Sequence, residues 1–139
     1  IVDQSEFTVR SLSKLRDMGV QLQIDDFGIA YSSLSYLSRF PINALKIDKS
    51  FVLLIGIERS QVDIIRAIIT LSDQLNVDVI AEGIETQDQL NELLGLDCKL
   101  GQGFLLSHPL DPGDVEAVLM KLSQDEKGRL IWVRNEDQR

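Results

Sequence analysis

Hydrophobic positions recur along the chain with two different periods, which predict helices and strands in alternation. Segment 5–18 places Val9 and Leu12 at helical spacing, and Gly19 is a suitable residue to end that helix. Segment 20–26 alternates apolar and polar residues, which predicts a strand. The same patterns predict further helices at 32–40, 60–76, 86–94 and 111–122 and further strands at 43–51, 77–85 and 98–106. Strands separated by helices form parallel sheets through right-handed crossovers, so the order predicts an α/β fold.

The ends and the apolar faces of the helices are also predictable. Thr86 and Gln89 have the spacing of a capping box, Asn76 is a suitable C-cap, and Pro112 after Asp111 is typical of a helix start. Two helices carry a predicted core face, at Val62, Ile65, Ile68, Ile69 and Leu75 and at Val115, Val118, Leu119 and Leu122.

Polar residues are concentrated toward the carboxyl ends of the four predicted strands. They are Asp25 and Asp26 in the first strand, Lys46 and Asp48 in the second, Glu82 and Glu85 in the third, and Gln102 in the fourth. Side chains alternate between the two faces of a regular strand, so Asp25 is expected on one face and Asp26 on the other. Parallel α/β folds carry their sites at this end of the sheet, and we therefore expect a site there.

The residue types favour metal-assisted chemistry at phosphorus. Adjacent carboxylates repel each other, and a divalent cation would hold Asp25 and Asp26 together. Oxygen ligands without paired Cys or His favour Mg²⁺ or Mn²⁺ over zinc. Two such ions can hold the attacking water and the leaving oxygen of a phosphodiester. Lys46 would then orient the water or offset phosphate charge, and Glu82 would accept a proton.

Composition narrows the possible partners and compartments. The chain has 139 residues, enough for one domain, and a net charge of −8 without a basic cluster, which argues against long nucleic acids as partners. A single cysteine, Cys98, predicts a reducing compartment, and we expect a cytoplasmic location. No stretch approaches the roughly 20 apolar residues of a membrane span, so no membrane contact is expected from this segment.

Four segments of the sequence resemble one known family. The segments "IDDFGIAYSSLSYL", "LKIDKSFV", "VIAEGIET" and "GQGFLLSHPL" are similar to the motifs of the EAL domain, a family of bacterial cyclic-di-GMP phosphodiesterases. The resemblance implies a TIM-like (β/α) barrel, with residues 1–122 as its C-terminal half-barrel of about four parallel strands and 123–139 as a polar extension. It also implies hydrolysis of cyclic-di-GMP to linear pGpG with two Mg²⁺ or Mn²⁺ ions, in second-messenger signalling.

Seven residues match positions with known roles in that family. By this resemblance the metal ligands are Asp25, Asp26 and Asp48, the catalytic groups are Lys46, Glu82 and Gln102, and the residue that supports the loop after the acidic pair is Glu85. Asp25 is expected to bridge both metals, Lys46 to position the hydrolytic water and Glu82 to act as general base. The substrate-binding residues are not identified by the resemblance.

The chain departs from the family pattern in two places. Ile29 and Ala30 stand where the family has Thr-Gly, in a loop that couples dimerisation to metal binding. The family's first strands, which carry the Glu-Ala-Leu motif, an asparagine and a further glutamate as metal ligands, have no counterpart in these residues. We therefore expect the chain to be inactive alone. The alternatives to a phosphodiesterase are a degenerate EAL domain that acts as a cyclic-di-GMP receptor and an inactive folded fragment.

A half-barrel also has two open sheet edges, at 20–26 and 99–105. Unpaired backbone groups on such edges invite pairing with another chain, and the open face would expose Ile80, Leu100 and Phe104. We therefore predict a homodimer. A monomer would result if the helices or the tail at 130–133 covered the gap.

Overall fold

The computed structural model describes residues 4–29 and 37–123, which form a four-stranded parallel sheet and five helices. The strands lie side by side in chain order, β1-β2-β3-β4, and all neighbours are parallel. In sequence the elements are α1 (Gln4–Asp17), β1 (Gln23–Phe27), β2 (Ala44–Ile47), α2 (Lys49–Leu53), α3 (Arg59–Leu75), β3 (Asp78–Ala81), α4 (Gln87–Gly95), β4 (Leu100–Gly101) and α5 (Pro112–Ser123). The predicted α/β fold with four parallel strands is confirmed.

The hydrophobic core lies between one face of the sheet and the helices. Leu45 and Ile47 of β2 are fully buried there, together with Ile65 of α3. Removing a side chain of this size from water stabilises a fold by about 1.5–3 kcal/mol. Ile65 and Ile68 lie on the predicted core face of α3 and are buried, as the helical spacing requires. This face of the sheet therefore anchors the strands whose other face and carboxyl ends carry the polar residues.

Two predicted helix caps are present in full. The hydroxyl of Thr86 accepts a hydrogen bond from Gln89 N, and the side chain of Gln89 accepts one from Thr86 N, so both halves of the capping box form. Asn76 adopts the left-handed conformation at the end of α3, with a φ of 55°. Asparagine tolerates that conformation better than most residues, which explains its place at the C-cap.

Three predicted strands extend too far along the chain. β2 ends at Ile47 rather than at residue 51, because Asp48 caps a new helix, α2. β3 ends at Ala81, and β4 comprises only Leu100–Gly101, after which residues 104–106 form a turn. Most of the predicted helix at 32–40 and nearly all of the predicted extension at 123–139 lie outside the described residues.

The face of the sheet opposite the core is only partly covered. Ile80 and Leu100 are half-buried on it, and Phe104 beyond β4 is 59% exposed.

Val115 on the predicted core face of α5 is exposed, whereas Val118 on the same predicted face is half-buried. No helix within the described part of the chain combines the length and the apolar character that a membrane crossing requires.

Candidate functional site

A continuous chain of polar contacts crosses all four strands at their carboxyl ends. Asp25 of β1 accepts a hydrogen bond from Lys46 of β2, with 2.8 Å between Nζ and Oδ1. The same ammonium contacts Oε1 of Glu82, which follows β3. Gln102, which follows β4, donates from Nε2 to that Oε1 over 2.8 Å. The structure thus brings together four of the seven predicted residues in one network.

Backbone pairing fixes the positions of Glu82 and Gln102 although both lie just past their strands. Glu82 N donates to Ile47 O at 3.2 Å, and Gln102 N donates to Ala81 O at 2.8 Å, so the parallel ladder continues by one residue on each side. Lys46 lies opposite Ile80 in the register of β2 and β3. The side chains of Lys46 and Glu82 therefore project from the same face of the sheet and meet there.

Asp26 joins this side of the sheet through a β-bulge. Ile24 pairs with Leu45 and Phe27 pairs with Ile47, so β1 uses three steps where β2 uses two. The extra residue changes the alternation of side chains, and Asp26 adopts a left-handed φ of 51°. The prediction that Asp25 and Asp26 lie on opposite faces assumed a regular strand, and the bulge corrects it.

Three carboxylates converge as a result of this bulge. Asp25, Asp26 and Glu82 each offer an oxygen, and these atoms all lie within 4.8 Å of one another. No other group of three such side chains occurs among residues 4–29 and 37–123 at this spacing. Carboxylate oxygens without Cys or His are suited to Mg²⁺ or Mn²⁺. The donor set therefore fits the divalent ion that the sequence predicts.

Lys46 is the electrostatic centre of the network. Hydrogen bonds to the carboxylates of Asp25 and Glu82 raise the pKa of its ammonium above the usual value, so it stays protonated at neutral pH. The Lys46 ammonium in turn lowers the pKa of Asp25. The Lys46 and Glu82 side chains are only 18% and 13% exposed, whereas that of Asp25 is 65% exposed. Asp25 thus forms the solvent side of the network and Glu82 its inner side.

Comparison with known proteins places this chain in a family. The family model of the EAL domain matches residues 1–109. The chain belongs to the EAL-domain family. Its relatives include the protein named cyclic di-GMP phosphodiesterase NbdA of Pseudomonas aeruginosa, which is 46% identical over 112 residues, or 81% of this chain and 14% of that protein. The chain spans about a sixth of the length of such curated relatives.

Solved EAL structures have the same fold as this chain. The EAL domain of Mycobacterium smegmatis DcpA is 41% identical, with a TM-score of 0.81, and the match covers 86% of this chain and 54% of that one. A complex of Klebsiella pneumoniae BlrP1 with manganese and cy-diGMP is 38% identical, with a TM-score of 0.66 over 72% of this chain and 25% of that one. These neighbours identify the four parallel strands as part of an EAL barrel.

The two remaining predicted residues of the EAL site have structural contacts of their own. Asp48 is buried, and its Oδ1 accepts a hydrogen bond from Ser50 N at 2.7 Å, which caps α2. The structure does not place Asp48 in the group of three converging carboxylates, and its role as a ligand stays a prediction. The side chain of Glu85 is exposed, and its backbone N donates a hydrogen bond to Gln89 Oε1 at 2.8 Å.

An aromatic pair next to the EAL network was not predicted. The rings of Phe104 and His108 stack with their centroids 4.3 Å apart. They line a cleft of about 430 Å³ that also reaches Gln102 and Lys49. The four-residue spacing across the turn at 104–106 is a signal for this pair, but the sequence pattern predicts a strand at 98–106, and residues four apart along an extended chain do not meet. Ile29, at the departure from the family pattern, is exposed, and Ala30 lies outside the described residues.

Asp48 is expected to make the stability of the chain depend on pH. Its pKa lies below the ordinary value of 3.8, mainly because Ser50 donates a hydrogen bond to it. The stability that the carboxylate contributes is therefore complete above that value and is lost as the pH falls through the lowered pKa. Asp48→Asn keeps a capping oxygen but does not titrate, so we expect a shallower loss of stability between about pH 5 and pH 2.

Urea unfolding at a series of pH values measures this difference. Asp63→Asn, a matched change at an exposed position of α3, serves as the control and should follow the unsubstituted chain. If Asp48→Asn lost stability as steeply as both, Asp48 would not be the group that titrates.

Proposed function

We propose that this chain is the C-terminal part of a metal-dependent phosphodiesterase that hydrolyses cyclic-di-GMP to linear pGpG. The observation that carries the proposal is the network of Asp25, Lys46, Glu82 and Gln102 across the four strand ends. A nucleotide receptor needs contacts to bases and phosphates, but it has no need for a lysine bonded between two acids beside a third. The relative NbdA, a cyclic di-GMP phosphodiesterase by name, and the cy-diGMP complex of BlrP1 support the same substrate.

Asp25, Asp26 and Glu82 are the residues whose oxygens converge closely enough to hold Mg²⁺ or Mn²⁺. Asp48 is proposed as a further ligand, since its second carboxylate oxygen is not engaged by the cap of α2. Such ions polarise a phosphate and increase the acidity of water when they are bound. The manganese in the BlrP1 complex supports this assignment.

The other residues of the network orient and exchange protons. Lys46 directs its ammonium toward the position of the water and offsets negative charge on the phosphate. Glu82 is the general base, because its carboxylate is held on the sheet and is largely shielded from solvent. Gln102 fixes Oε1 of Glu82 through its amide, which leaves the other oxygen of Glu82 to accept the proton. Glu85 is proposed to support the loop after Asp26.

Three further expectations are part of this proposal. The homodimer rests on the open edges of β1 and β4 and on the partly exposed face that includes Ile80 and Leu100. A cytoplasmic location rests on the single cysteine, Cys98, which is buried as a free thiol. The division at residue 122 rests on the resemblance to the family's motifs.

The function is tested with the complete EAL domain and with these 139 residues alone. Each is incubated with cyclic-di-GMP and Mg²⁺ or Mn²⁺, and nucleotides are separated by chromatography. We expect the complete domain to form pGpG only with metal. The 139 residues should form none, because the match covers 54% of the solved DcpA EAL structure and two positioned ions are needed.

Two outcomes would contradict this proposal. If the complete domain bound cyclic-di-GMP without cleaving it in either metal, the receptor alternative would replace the phosphodiesterase. Metal-dependent turnover by the 139 residues, with contaminating enzyme removed, would show that the network described here is sufficient by itself.

A further inference from the structure

We propose that Lys46 is an internal counter-cation of the acidic cluster, and that a divalent ion binds by displacing its ammonium from Asp25 while its contact with Glu82 persists. This inference rests on the metal-dependent function proposed above and adds how the site exchanges one cation for another. Lys46 would therefore lower the metal affinity of the site that it serves.

The contacts show that Lys46 and a metal compete for the same side chains. The ammonium bonds to Oδ1 of Asp25 at 2.8 Å and contacts Oε1 of Glu82. Asp25 and Glu82 are two of the three acids whose oxygens lie within 4.8 Å of one another. A divalent ion among these oxygens would repel an ammonium at hydrogen-bond distance, since like charges at such separations interact unfavourably. The ammonium therefore cannot keep its contacts with both Asp25 and Glu82 while an ion is bound among these oxygens.

Burial and hydrogen bonding identify Asp25 as the acid that is released. The side chain of Glu82 is 13% exposed, and Gln102 holds its Oε1 at 2.8 Å. The side chain of Asp25 is 65% exposed, and the network gives it no second side-chain donor besides Lys46 among the described residues. Moving Asp25 thus breaks one side-chain contact, whereas moving Glu82 would break two. Lys46 lies in β2 between two paired strands and its side chain is only 18% exposed, so the surrounding residues limit the positions that its ammonium can take.

Charge balance agrees with such an exchange. Asp25, Asp26 and Glu82 carry three negative charges, and the Lys46 ammonium leaves a formal charge of −2 at this place. One divalent ion neutralises that remainder. A neutral residue at position 46 would leave all three negative charges for the metal. Loss of the Lys46 ammonium is therefore expected to tighten metal binding, even though the ammonium is also a proposed catalytic group.

The experiment measures binding of Mn²⁺ to the full chain by electron paramagnetic resonance, without substrate. Lys46→Met removes the charge at similar length, and Lys46→Gln is a second neutral variant. We expect both to bind Mn²⁺ about tenfold more tightly than the unsubstituted chain. Lys46→Arg keeps the positive charge and should stay within about threefold.

Lys99→Met is the control for net charge. Lys99 is exposed, pairs with Asp97 at 3.3 Å and precedes β4, so it lies at the opposite end of the sheet. Loss of a distant exposed charge is largely screened by salt, and this variant should keep the affinity of the unsubstituted chain. A gain in Lys99→Met as large as in Lys46→Met would overturn the inference, because net charge alone would explain it.

A measurement on the unsubstituted chain removes any dependence on how the variants fold. The side-chain nuclear magnetic resonance signals of Lys46 and Asp25 are followed during addition of Mg²⁺. We expect both to shift and to saturate at the same Mg²⁺ concentration. A Lys46 signal that stays fixed while that of Asp25 responds would overturn the inference. Unchanged or weaker Mn²⁺ binding by the folded neutral variants would overturn it as well. In both cases the proposed metal site itself would still stand. Absence of Mn²⁺ binding to every form, including the unsubstituted chain, would also overturn the inference, whereas the metal-dependent function is decided separately by turnover of the complete EAL domain.

Discussion

Asp25→Asn is expected to abolish hydrolysis of cyclic-di-GMP by the complete EAL domain. Asp25 is one of the acids that would hold a divalent ion, and asparagine has the same shape without the charge. Substitution of residues that only support metal ligands already costs about 10–100-fold, so loss of a ligand itself should lower the rate by more than about a hundredfold. The side chain is 65% exposed, so the fold should be retained.

Rates with Mg²⁺ and with Mn²⁺, together with circular dichroism, test this prediction. Asp63→Asn makes the same chemical change at an exposed position of α3 and should leave the rate unaltered. Hydrolysis by Asp25→Asn at the unsubstituted rate in either metal would remove Asp25 from the metal site. A loss of rate accompanied by a loss of the folded spectrum would be a structural effect and would contradict the expectation that the fold is retained.

Gly103→Ala is expected to destabilise the fold strongly. A Cβ on Gly103 would lie less than 3.0 Å from the backbone N and O of Ile84, which is buried. These atoms also take part in the hydrogen bonds that join the loop after β3 to the turn after β4. Relief of such a collision requires a backbone shift, and we expect a loss of about 3 kcal/mol.

For a chain of this size that loss corresponds to a melting temperature lower by about 10 °C. Gly95→Ala provides the control, because a Cβ on Gly95 meets no atom within 4 Å and alanine has a higher helix propensity than glycine at this last residue of α4. The shift at Gly103 should also move Gln102 and loosen its hydrogen bond to Glu82. Equal melting temperatures for the two variants would show that the approach of Gly103 to Ile84 is not required by the fold.

Local patterns in the sequence were sufficient for much of this fold, because the interactions that determine them are local. Helical spacing identified the buried face of α3 at Ile65 and Ile68, and the capping box at Thr86 formed as its three-residue spacing predicts. The alternation of strands and helices leads to a parallel sheet, and the carboxyl ends of parallel strands meet at one edge whatever the packing details. Lys46 and Glu82 were therefore predicted to lie near each other, and they do.

Tertiary structure alone decided how the acids are arranged. Alternation places Asp25 and Asp26 on opposite faces, but the pairing of β1 with β2 inserts a bulge that brings both carboxylates to one side. A bulge depends on the register between two strands distant in sequence, and no local period contains that information. The local pattern predicts that Asp48 lies within a strand, whereas in the structure its carboxylate caps the helix that follows β2. The sequence by itself thus determined which residues lie at the carboxyl ends of the strands, whereas strand pairing determined which of them meet.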